Sequence, residues 1–521
     1  MKKLFIFWML LLSSTFLCHA QDLGLKTKLG PIFKDEKKNT RLTKVIENGD
    51  GEVVIIRSYY GGLIGRTMRG YYIEYYNQNL ELIREFDYNF SDMEMKDGDP
   101  TLDFIVDGDK LHIIEFYYDK AKSSYVISAN SANVNTFKFE RKQLATVPYK
   151  DITNTGFFGS RGDGDNGALL IESEDKSAFL IAIDLNQGKN QETHQLYLFD
   201  KSLNLKIDYT FTKDIKDRNF NVSQFEVSED GSTLYLLGKV STKETKAKEE
   251  GGKYMYELIR IDSKGLKSKV FDSNDKYASS LKTVLFNNRL VCVGFYSEKS
   301  DKRYKGVCYF DIDPSTLKIN TEKYNPFSEQ FMIDKYGKNK NKELRYLSFR
   351  SIITTDKNEI IFNAEESFTT EHTYFRPNGG TSQVTNYHKN DIVCVKLSAT
   401  GDLQWSRNIN KAEVSIDYFD PYASYTSLGA EKNMYLFINC GEKVKKLSNN
   451  RIGFVQASRK RANLNGIRID ENGDFDYQEL VDDKVGEVPF MVSNGFATKK
   501  AVYFIGAKGK KKRLLKVTLK E

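Results

Sequence analysis

The chain has 521 residues, of which 40% are hydrophobic and 13% aromatic, and its formal net charge is +7 from 78 basic and 71 acidic residues. This apolar content excludes an intrinsically disordered chain, because it is sufficient to build a large packed core. Only 8 residues are proline and no Pro-, Gly- or Ser-rich linker interrupts the pattern. The composition therefore predicts one folded domain over residues 21–521.

The first predicted element is a signal peptide over residues 1–20. Lys2 and Lys3 precede an apolar run from Leu4 to Leu12, and small or polar residues lead to Ala20. The apolar run is too short to span a bilayer, and no later segment is long and apolar enough to do so. The sequence thus predicts an exported protein in the periplasm, at the cell surface or outside the cell.

The mature chain is predicted to repeat a unit of four strands. In the clearest unit the strands are Asn221 to Ser228, Thr233 to Val240, Tyr254 to Asp262 and Leu266 to Phe271. Apolar residues recur at every second position of each strand, and Gly, Asn, Asp or Ser turns bound it. Four-stranded sheets repeated along a chain are typical of a β-propeller, in which each sheet packs on its neighbours.

The number of blades can be read from the third strand of each unit. These strands are centred near Tyr72, Val126, Leu196, Leu258, Cys308, Val393 and Ile467. The segment Phe490 to Leu519 begins an eighth unit and stops before a fourth strand, whereas the strand-like segment Leu23 to Phe33 precedes the first unit. Because an open ring leaves an unpaired edge, Leu23 to Phe33 is predicted to pair with Leu514 to Leu519. The predicted fold is therefore all-β, with eight antiparallel blades closed by an N-terminal strand. Seven blades is the alternative, since the unit around Val126 is the least regular.

One unit, Lys396 to Trp405 with the sequence KLSATGDLQW, resembles the repeat of pyrroloquinoline-quinone-type propellers. The resemblance implies that Trp405 docks its blade onto the next one. Trp405 is the single tryptophan of the mature chain, so this docking is expected in one blade alone and no cofactor is predicted. The rest of the chain is similar, at the level of fold, to uncharacterised secreted β-propellers.

Loop lengths distinguish the two rims of the predicted propeller. Turns between the first and second strands and between the third and fourth are short, whereas the other connections are often long, as in Thr369 to Lys389 and Lys443 to Asn463. In an up-and-down blade these long connections leave from one rim, which we call the long-loop face. Binding residues concentrate on loops held by a rigid scaffold, so this face is the predicted binding surface.

The long-loop face is rich in lysine and arginine. Solubility and protection of strand edges account for many such residues. The functional hypothesis is that they attract a protein or an anionic glycan, which would make this a binding or scaffold protein. Nucleic acid is not expected as the partner of an exported chain. The candidate binding residues are Arg303, Lys305, Arg459, Lys460, Arg461, Lys510, Lys511, Lys512 and Arg513.

The sequence contains no recognisable catalytic or metal motif. Asp470 to Glu479 resembles an EF-hand calcium loop, but Phe475 stands where that loop needs Gly, so a turn between two strands is predicted. Asp163 to Gly167 offers two carboxylates and lacks further ligands, and the histidines are isolated in sequence, so no metal site is predicted. The alternative function is a carbohydrate- or lactone-active enzyme, with a site assembled from several blades at the central channel.

Four cysteines of the mature chain, Cys292, Cys308, Cys394 and Cys440, lie in apolar strand patterns. Without Cys-x-x-Cys spacing or paired histidines, they are predicted to be buried free thiols. Cys292 and Cys308 fall on strands that we expect to be adjacent. A disulfide between them depends on a strand register that the sequence leaves open.

Overall fold

The computed structural model describes residues 22–37, 39–47, 51–61, 67–93, 99–152, 167–186, 191–215, 219–241, 254–271, 276–298, 303–375, 380–430, 432–449, 451–458 and 461–520. The predicted signal peptide, the carboxylates Asp163 and Asp165, and the candidate binding residues Arg459 and Lys460 lie outside the described residues. No helix in the described ranges is long and apolar enough to cross a membrane.

The strands of the described residues form eight sheets, seven with four strands and one extended to six. The first strand, β1 (Leu25–Lys34), belongs to the last sheet. Blade 1 contains β2 (Asn39–Glu47), β3 (Val53–Gly61), β4 (Thr67–Tyr76) and β5 (Leu82–Asn89). Blade 2 contains β6 (Thr101–Asp107), β7 (Lys110–Asp119), β8 (Ser124–Asn133) and β9 (Glu140–Pro148). Blade 3 contains β10 (Ala168–Glu172), β11 (Ala178–Leu185), β12 (Glu192–Asp200) and β13 (Leu205–Lys213). Blade 4 contains β14 (Phe220–Val227), β15 (Leu234–Ser241), β16 (Tyr254–Asp262) and β17 (Gly265–Phe271).

The second half of the chain continues the same order. Blade 5 contains β18 (Tyr277–Phe286), β19 (Arg289–Ser297), β20 (Gly306–Ile312) and β21 (Ile319–Pro326), followed by the helix α1 (Glu329–Tyr336). Blade 6 contains β22 (Leu347–Thr354), β23 (Ile360–Phe375), β24 (Thr381–Leu397) and β25 (Leu403–Ser415). Blade 7 contains β26 (Thr426–Ala430), β27 (Asn433–Cys440), β30 (Asn463–Ile469) and β31 (Phe475–Val481), and the short strands β28 (Lys445–Lys446) and β29 (Ile452–Val455) extend blade 6. After the short helix α2 (Asp483–Gly486), blade 8 contains β32 (Phe496–Ala497), β33 (Ala501–Lys508) and β34 (Lys511–Leu519).

Closure of the ring occurs as predicted, so the chain is an eight-bladed propeller. β1 lies antiparallel to β34, with Leu25 opposite Leu519 and Leu29 opposite Leu515. Leu23 and Leu25 are buried in the apolar cluster between blades 7 and 8. The seven-blade alternative is excluded because the irregular unit around Val126 forms a complete blade from β6 to β9.

The core of the described residues is divided among eight apolar clusters, one at each interface between neighbouring blades. Alternation along the strands produces this arrangement, because successive side chains point to opposite faces of a sheet. In β3, Val53 and Ile55 face blade 8, whereas Val54 and Ile56 face blade 2. Each blade thus buries both faces and depends on both neighbours.

Trp405 docks blade 6 onto blade 7, as the resemblance implied. Its Nε1 donates to the carbonyl oxygen of Glu471 at 3.1 Å, in the turn between β30 and β31. Gly473 in this turn has φ +88°, and a Cβ there would lie only 2.8 Å from Trp405 Cγ. The turn therefore needs glycine for its backbone conformation and for close approach of the ring.

The expectation that docking is restricted to Trp405 was wrong, because tyrosines make the same kind of contact elsewhere. Tyr309 of blade 5 donates to the carbonyl oxygen of Ala399 at 3.0 Å, in the turn before β25. Tyr235 of blade 4 donates to the carbonyl oxygen of Pro314 at 3.0 Å, in the turn before β21. A phenol can replace an indole here, since both pair a large apolar surface with one donor.

We expect Trp405→Ala to lower the free energy of unfolding by about 3–5 kcal/mol, the usual cost of truncating a buried tryptophan. The ring is 7% exposed and belongs to the cluster between blades 6 and 7. Urea denaturation measures the effect, and Trp405→Phe, which keeps most of the apolar contact, should cost less. A loss below about 1 kcal/mol for Trp405→Ala would show that the docking contact is dispensable.

The four cysteines are buried and free, which confirms the prediction of unpaired thiols. Cys292 and Cys308 lie on the adjacent strands β19 and β20, but Cys292 is opposite Phe310 and Cys308 is opposite Gly294. This offset of two residues places the thiols on a diagonal. Burial raises the pKa of Cys292 to about 12, so this thiol is unreactive at neutral pH.

The segment Asp470 to Glu479 forms the predicted turn between two strands. Asp470 Oδ1 accepts from the backbone N–H groups of Asn472 and Asp474, both at 2.9 Å. The carboxylate that resembled a calcium ligand thus closes its own turn.

Candidate functional site

A pocket of about 240 Å³ opens on the long-loop face. The first strands β2 and β22 contribute Arg41 and Arg350 to its wall, and β24 contributes Tyr387 and Lys389. Residues 415–424, between β25 and β26, line another side. First strands of neighbouring blades contact one another, so they form the inner ring of the propeller. The pocket therefore lies beside the mouth of the central channel.

An extension of blade 6 positions the β24 side chains. Thr369 to Lys389 was predicted as a long loop, but β23 and β24 continue as an antiparallel hairpin to the pair Phe375 and Thr381. In the strand register, Tyr387 is directly opposite Ser415 on β25, and Lys389 is directly opposite Glu413. The pocket wall is therefore a sheet, which holds these side chains more rigidly than a loop would.

Three cations line the pocket, and none forms an ion pair with a carboxylate of the described residues. Arg350 donates to Ser424 Oγ at 2.8 Å, and Lys389 donates to Ser367 Oγ at 2.9 Å. The guanidinium of Arg41 lies 5.4 Å from the ring centroid of Tyr60. Burial lowers the pKa of Lys389. These neutral partners hold the three charges in place and leave them available to an anion.

The two carboxylates of the pocket are occupied by their own loop. Asp417 Oδ1 accepts from the backbone N–H of Phe419 at 3.1 Å. Asp420 accepts from the N–H of Tyr422 at 3.0 Å and from Ser415 Oγ at 3.1 Å. These hydrogen bonds fix the loop between β25 and β26, and neither carboxylate forms an ion pair with a pocket cation of the described residues.

Exposed aromatic rings border the pocket. Tyr418 is 57% exposed and Phe419 is 46% exposed. Tyr418 contacts Tyr387 with ring centroids 5.3 Å apart and Phe419 with centroids 4.5 Å apart. Clustered exposed rings beside polar groups mark interaction sites on protein surfaces. The pocket thus offers flat apolar surfaces next to unpaired positive charge.

Buried charges support the pocket from below. Lys411 is 2.9 Å from Glu365 Oε1 and 2.6 Å from Glu413 Oε2, and all three side chains are 1% exposed. Ser424 connects this cluster to the pocket, because its N–H donates to Glu413 at 2.6 Å and its Oγ donates to Glu365 at 2.8 Å. Since Ser424 Oγ also accepts from Arg350, the cluster orients this guanidinium.

Of the candidate binding residues predicted from the sequence, the seven that the structure describes do not line this pocket. In blade 5, Arg303 lies 3.6 Å from Glu343, and Lys305 donates to Asn341 at 2.9 Å. Arg461, before β30, and Lys510, in the turn between β33 and β34, are exposed. These residues belong to three different blades.

The basic run in β34 is used largely for structure. Lys511 pairs with Glu487 at 2.9 Å, and Arg513 donates to the carbonyl oxygens of Gly30 at 3.0 Å and Val485 at 2.8 Å. Lys512 is only 1% exposed, and burial lowers its pKa. Its predicted place on an exposed binding surface is therefore wrong. Alternation along a strand sends Lys512 inward between two outward neighbours.

Arg41, Arg350 and Lys389 are not predicted from the sequence as binding residues, because none of them lies in a basic run of a loop. Each of these residues is on a strand, and Arg41 and Arg350 each lie near the start of the first strand of a blade. A basic residue near the start of a first strand was the sequence signal that could have identified Arg41 and Arg350, since the first strands line the channel.

The inner ring also carries carboxylates. Lys44 of β2 is 3.1 Å from Asp103 of β6 and 2.5 Å from Glu172 of β10. On β14, burial raises the pKa of Glu226 to about 7, although a hydrogen bond from Gln224 opposes the shift. A carboxyl group that titrates near neutral pH is a general acid–base candidate.

Glu226 should make stability depend on pH. Its pKa is about 7 in the folded protein against an ordinary value of 4.5, so the folded state binds more protons between these values. Stability should therefore fall as the pH rises through this window. We expect Glu226→Gln to raise the free energy of unfolding at pH 8 by up to about 3 kcal/mol, and to flatten the profile measured by urea denaturation. The exposed control Glu140→Gln should change neither the free energy of unfolding at pH 8 nor the slope of the pH profile. If the profile keeps its slope in Glu226→Gln, Glu226 is not the cause of the pH dependence.

Comparisons with known proteins identify no family and find only distant similarity among solved structures. No protein-family model matches the chain, and the search of curated proteins finds no match. Among solved structures, polysaccharide lyase Uly1 is 12% identical with a TM-score of 0.38, over 81% of this chain and 90% of that one. The propeller domain of the Trilobed protease from Pyrococcus furiosus is 13% identical with a TM-score of 0.32, over 75% and 100%. Prolyl oligopeptidase B from Galerina marginata is 11% identical with a TM-score of 0.40, over 90% and 56%.

Proposed function

We propose that this propeller is a binding protein that captures an anionic glycan in the pocket on its long-loop face. The observation that carries the proposal is the set of three pocket cations, Arg41, Arg350 and Lys389, without a carboxylate partner among the described residues. By contrast, the buried guanidinium of Arg57 is paired with Asp35 and Glu74. An acidic group of a ligand would supply the missing partner.

The size and lining of the pocket favour a sugar unit. A volume of about 240 Å³ is below the usual range of about 300–1,000 Å³ for pockets that enclose a whole drug-sized molecule. It suits one unit of a longer chain that continues across the surface. Tyr387, Tyr418 and Phe419 offer flat apolar faces at the rim, and the apolar face of a sugar ring can pack against such surfaces.

Binding of matched oligosaccharides tests this proposal. The mature protein is titrated calorimetrically with uronate-containing and sulfated oligosaccharides and with neutral oligosaccharides of equal length. We expect binding of acidic chains, with an affinity that falls as salt increases because the contact is electrostatic. Arg350→Gln should weaken binding by about tenfold or more, since a hydrogen bond to a charged group contributes about 1.5–3 kcal/mol.

Arg345→Gln is the matched control for Arg350→Gln. Arg345 is exposed, precedes the same strand and does not line the pocket. This variant loses the same charge and should bind as the unsubstituted protein does. Equal weakening in both variants would indicate a diffuse charge effect, and preference for neutral chains would refute the proposal.

A second candidate function is a carbohydrate- or lactone-active enzyme with its site at the central channel. The raised pKa of Glu226, about 7, favours it. The same oligosaccharides distinguish the enzyme from the binding protein, if mass spectrometry is used to measure the release of products. Turnover that is lost in Glu226→Gln would support the enzyme, whereas capture without products would support the binding protein.

We also propose that the protein is exported, on the basis of the basic and apolar regions in residues 1–20. Mass spectrometry of the protein from its native host should find Gln21 as the first residue. A retained Met1 would contradict export by this signal.

A further inference from the structure

Three side chains that commonly bind metals meet at the long-loop end of blade 3. They are Asp184, near the end of β11, and Glu192 and His194, at the start of β12. A ligand atom from each lies within 4.8 Å of those of the other two. None of the three lines the pocket described above.

Strand geometry brings the three together. Asp184 is directly opposite His194 in the antiparallel pair of β11 and β12, and directly opposed residues have Cβ atoms about 4.5–5.5 Å apart. Glu192 is two positions before His194, so both side chains point to the same face of the sheet. His194 Nε2 lies 2.7 Å from Glu192 Oε1. The convergence is therefore fixed by the register of a central strand pair.

The surroundings would suit a bound cation. The ring of His194 stacks on Phe211 with centroids 6.2 Å apart and meets the edge of Phe225 at 5.9 Å. Glu192 is 6% exposed and His194 is 8% exposed, whereas Asp184 is half-buried. The aromatic rings fix the imidazole and reduce the local dielectric, which strengthens binding of a cation by carboxylates.

We propose that Asp184, Glu192 and His194 form a binding site for a divalent transition-metal ion. One imidazole nitrogen and two carboxylate oxygens are ligands that Zn²⁺ accepts, and three protein ligands leave a position for water. Ca²⁺ fits the site less well, because it takes six to eight oxygen ligands. The competing explanation is a simple contact between His194 Nε2 and Glu192 Oε1 without a metal.

Zn²⁺ binding to the full mature chain, purified without a histidine tag, tests the proposal. Isothermal titration after treatment with a chelator should show one Zn²⁺ per chain, and metal analysis after dialysis should give the same stoichiometry. His194→Gln and Asp184→Asn should each weaken binding by at least about tenfold, since even residues that only orient a ligand contribute 10- to 100-fold. Ca²⁺ should not displace the bound Zn²⁺.

The matched control is His112→Gln. His112 is buried in blade 2, where its Nδ1 lies 2.7 Å from Ser131 Oγ, and it is not part of the cluster. This variant should bind Zn²⁺ as the unsubstituted protein does. If His194→Gln does not fold, Asp184→Asn, at a half-buried position, tests whether the cluster binds Zn²⁺. Failure of the unsubstituted protein to bind one Zn²⁺, or equal binding by Asp184→Asn, would leave only the contact between His194 and Glu192 and overturn the site. Arg350→Gln should bind Zn²⁺ normally, so this outcome is independent of glycan binding.

Discussion

Deletion of residues 21–34 should lower the midpoint of thermal unfolding and cause aggregation. The deletion removes β1, which pairs with β34 from Leu25 to Lys34, and exposes the backbone edge of the last blade. It also removes Leu23 and Leu25, which are 0% and 6% exposed. Burial of a leucine contributes about 1.5–3 kcal/mol, so these two residues alone predict a loss above about 3 kcal/mol. Calorimetry and light scattering measure the two effects.

The control for the deletion is Lys26→Ser. Lys26 lies on β1 directly after Leu25, but it is exposed, so its replacement should leave the midpoint unchanged. Deletion of a terminal segment without a structural role would likewise leave the midpoint unchanged. An unchanged midpoint and a monodisperse product for the deletion would therefore refute closure of the ring by β1.

Arg57→Ala should lower the free energy of unfolding by about 3–5 kcal/mol, because it leaves two buried carboxylates without their cation. Arg57 is 1% exposed; its Nη1 is 2.7 Å from Asp35 Oδ2, and its Nε donates to Glu74 Oε2 at 2.7 Å. Asp35 directly follows β1, so this ion pair connects the closing strand to blade 1. Urea denaturation at pH 7 measures the loss.

A neutral replacement of the whole cluster separates lost pairing from lost packing. The triple variant Arg57→Met, Asp35→Asn and Glu74→Gln removes all three charges and should recover much of the loss in Arg57→Ala. Arg345→Ala, at an exposed position, should change the free energy of unfolding by less than about 0.5 kcal/mol. A loss of that small size in Arg57→Ala would contradict the role given to the cluster.

The sequence was sufficient to predict the blades because their signals are local. Alternation of apolar residues and short polar turns located the third strand of all seven complete units, including the irregular one around Val126. The need to pair the last strand then predicted β1. The hairpin of β23 and β24 was not predicted, because beyond the blade both of its faces carry polar residues. Without alternation of apolar and polar residues, such strands resemble loops in sequence.

The pocket was not predictable in the same way. Arg41 comes from blade 1, and Arg350 and Lys389 come from blade 6, so a ring closed by β1 is needed to bring them together. Basic runs were a misleading guide, as β34 shows, where Lys511 pairs with Glu487 and Lys512 is buried. A run of like residues on a strand faces two environments, and only the register assigns each residue to one.

The most direct test of the proposed function is a crystal structure of the mature protein with the acidic oligosaccharide that binds most tightly in the calorimetric panel. We predict that an acidic group of the sugar contacts Arg350 and Lys389, with a sugar ring against Tyr418 or Phe419. The Arg350→Gln protein, crystallised under the same conditions, should show a lower occupancy of the sugar in the pocket. A sugar bound at the basic residues around Arg303 or Lys510, with the pocket empty in the unsubstituted protein, would contradict the account.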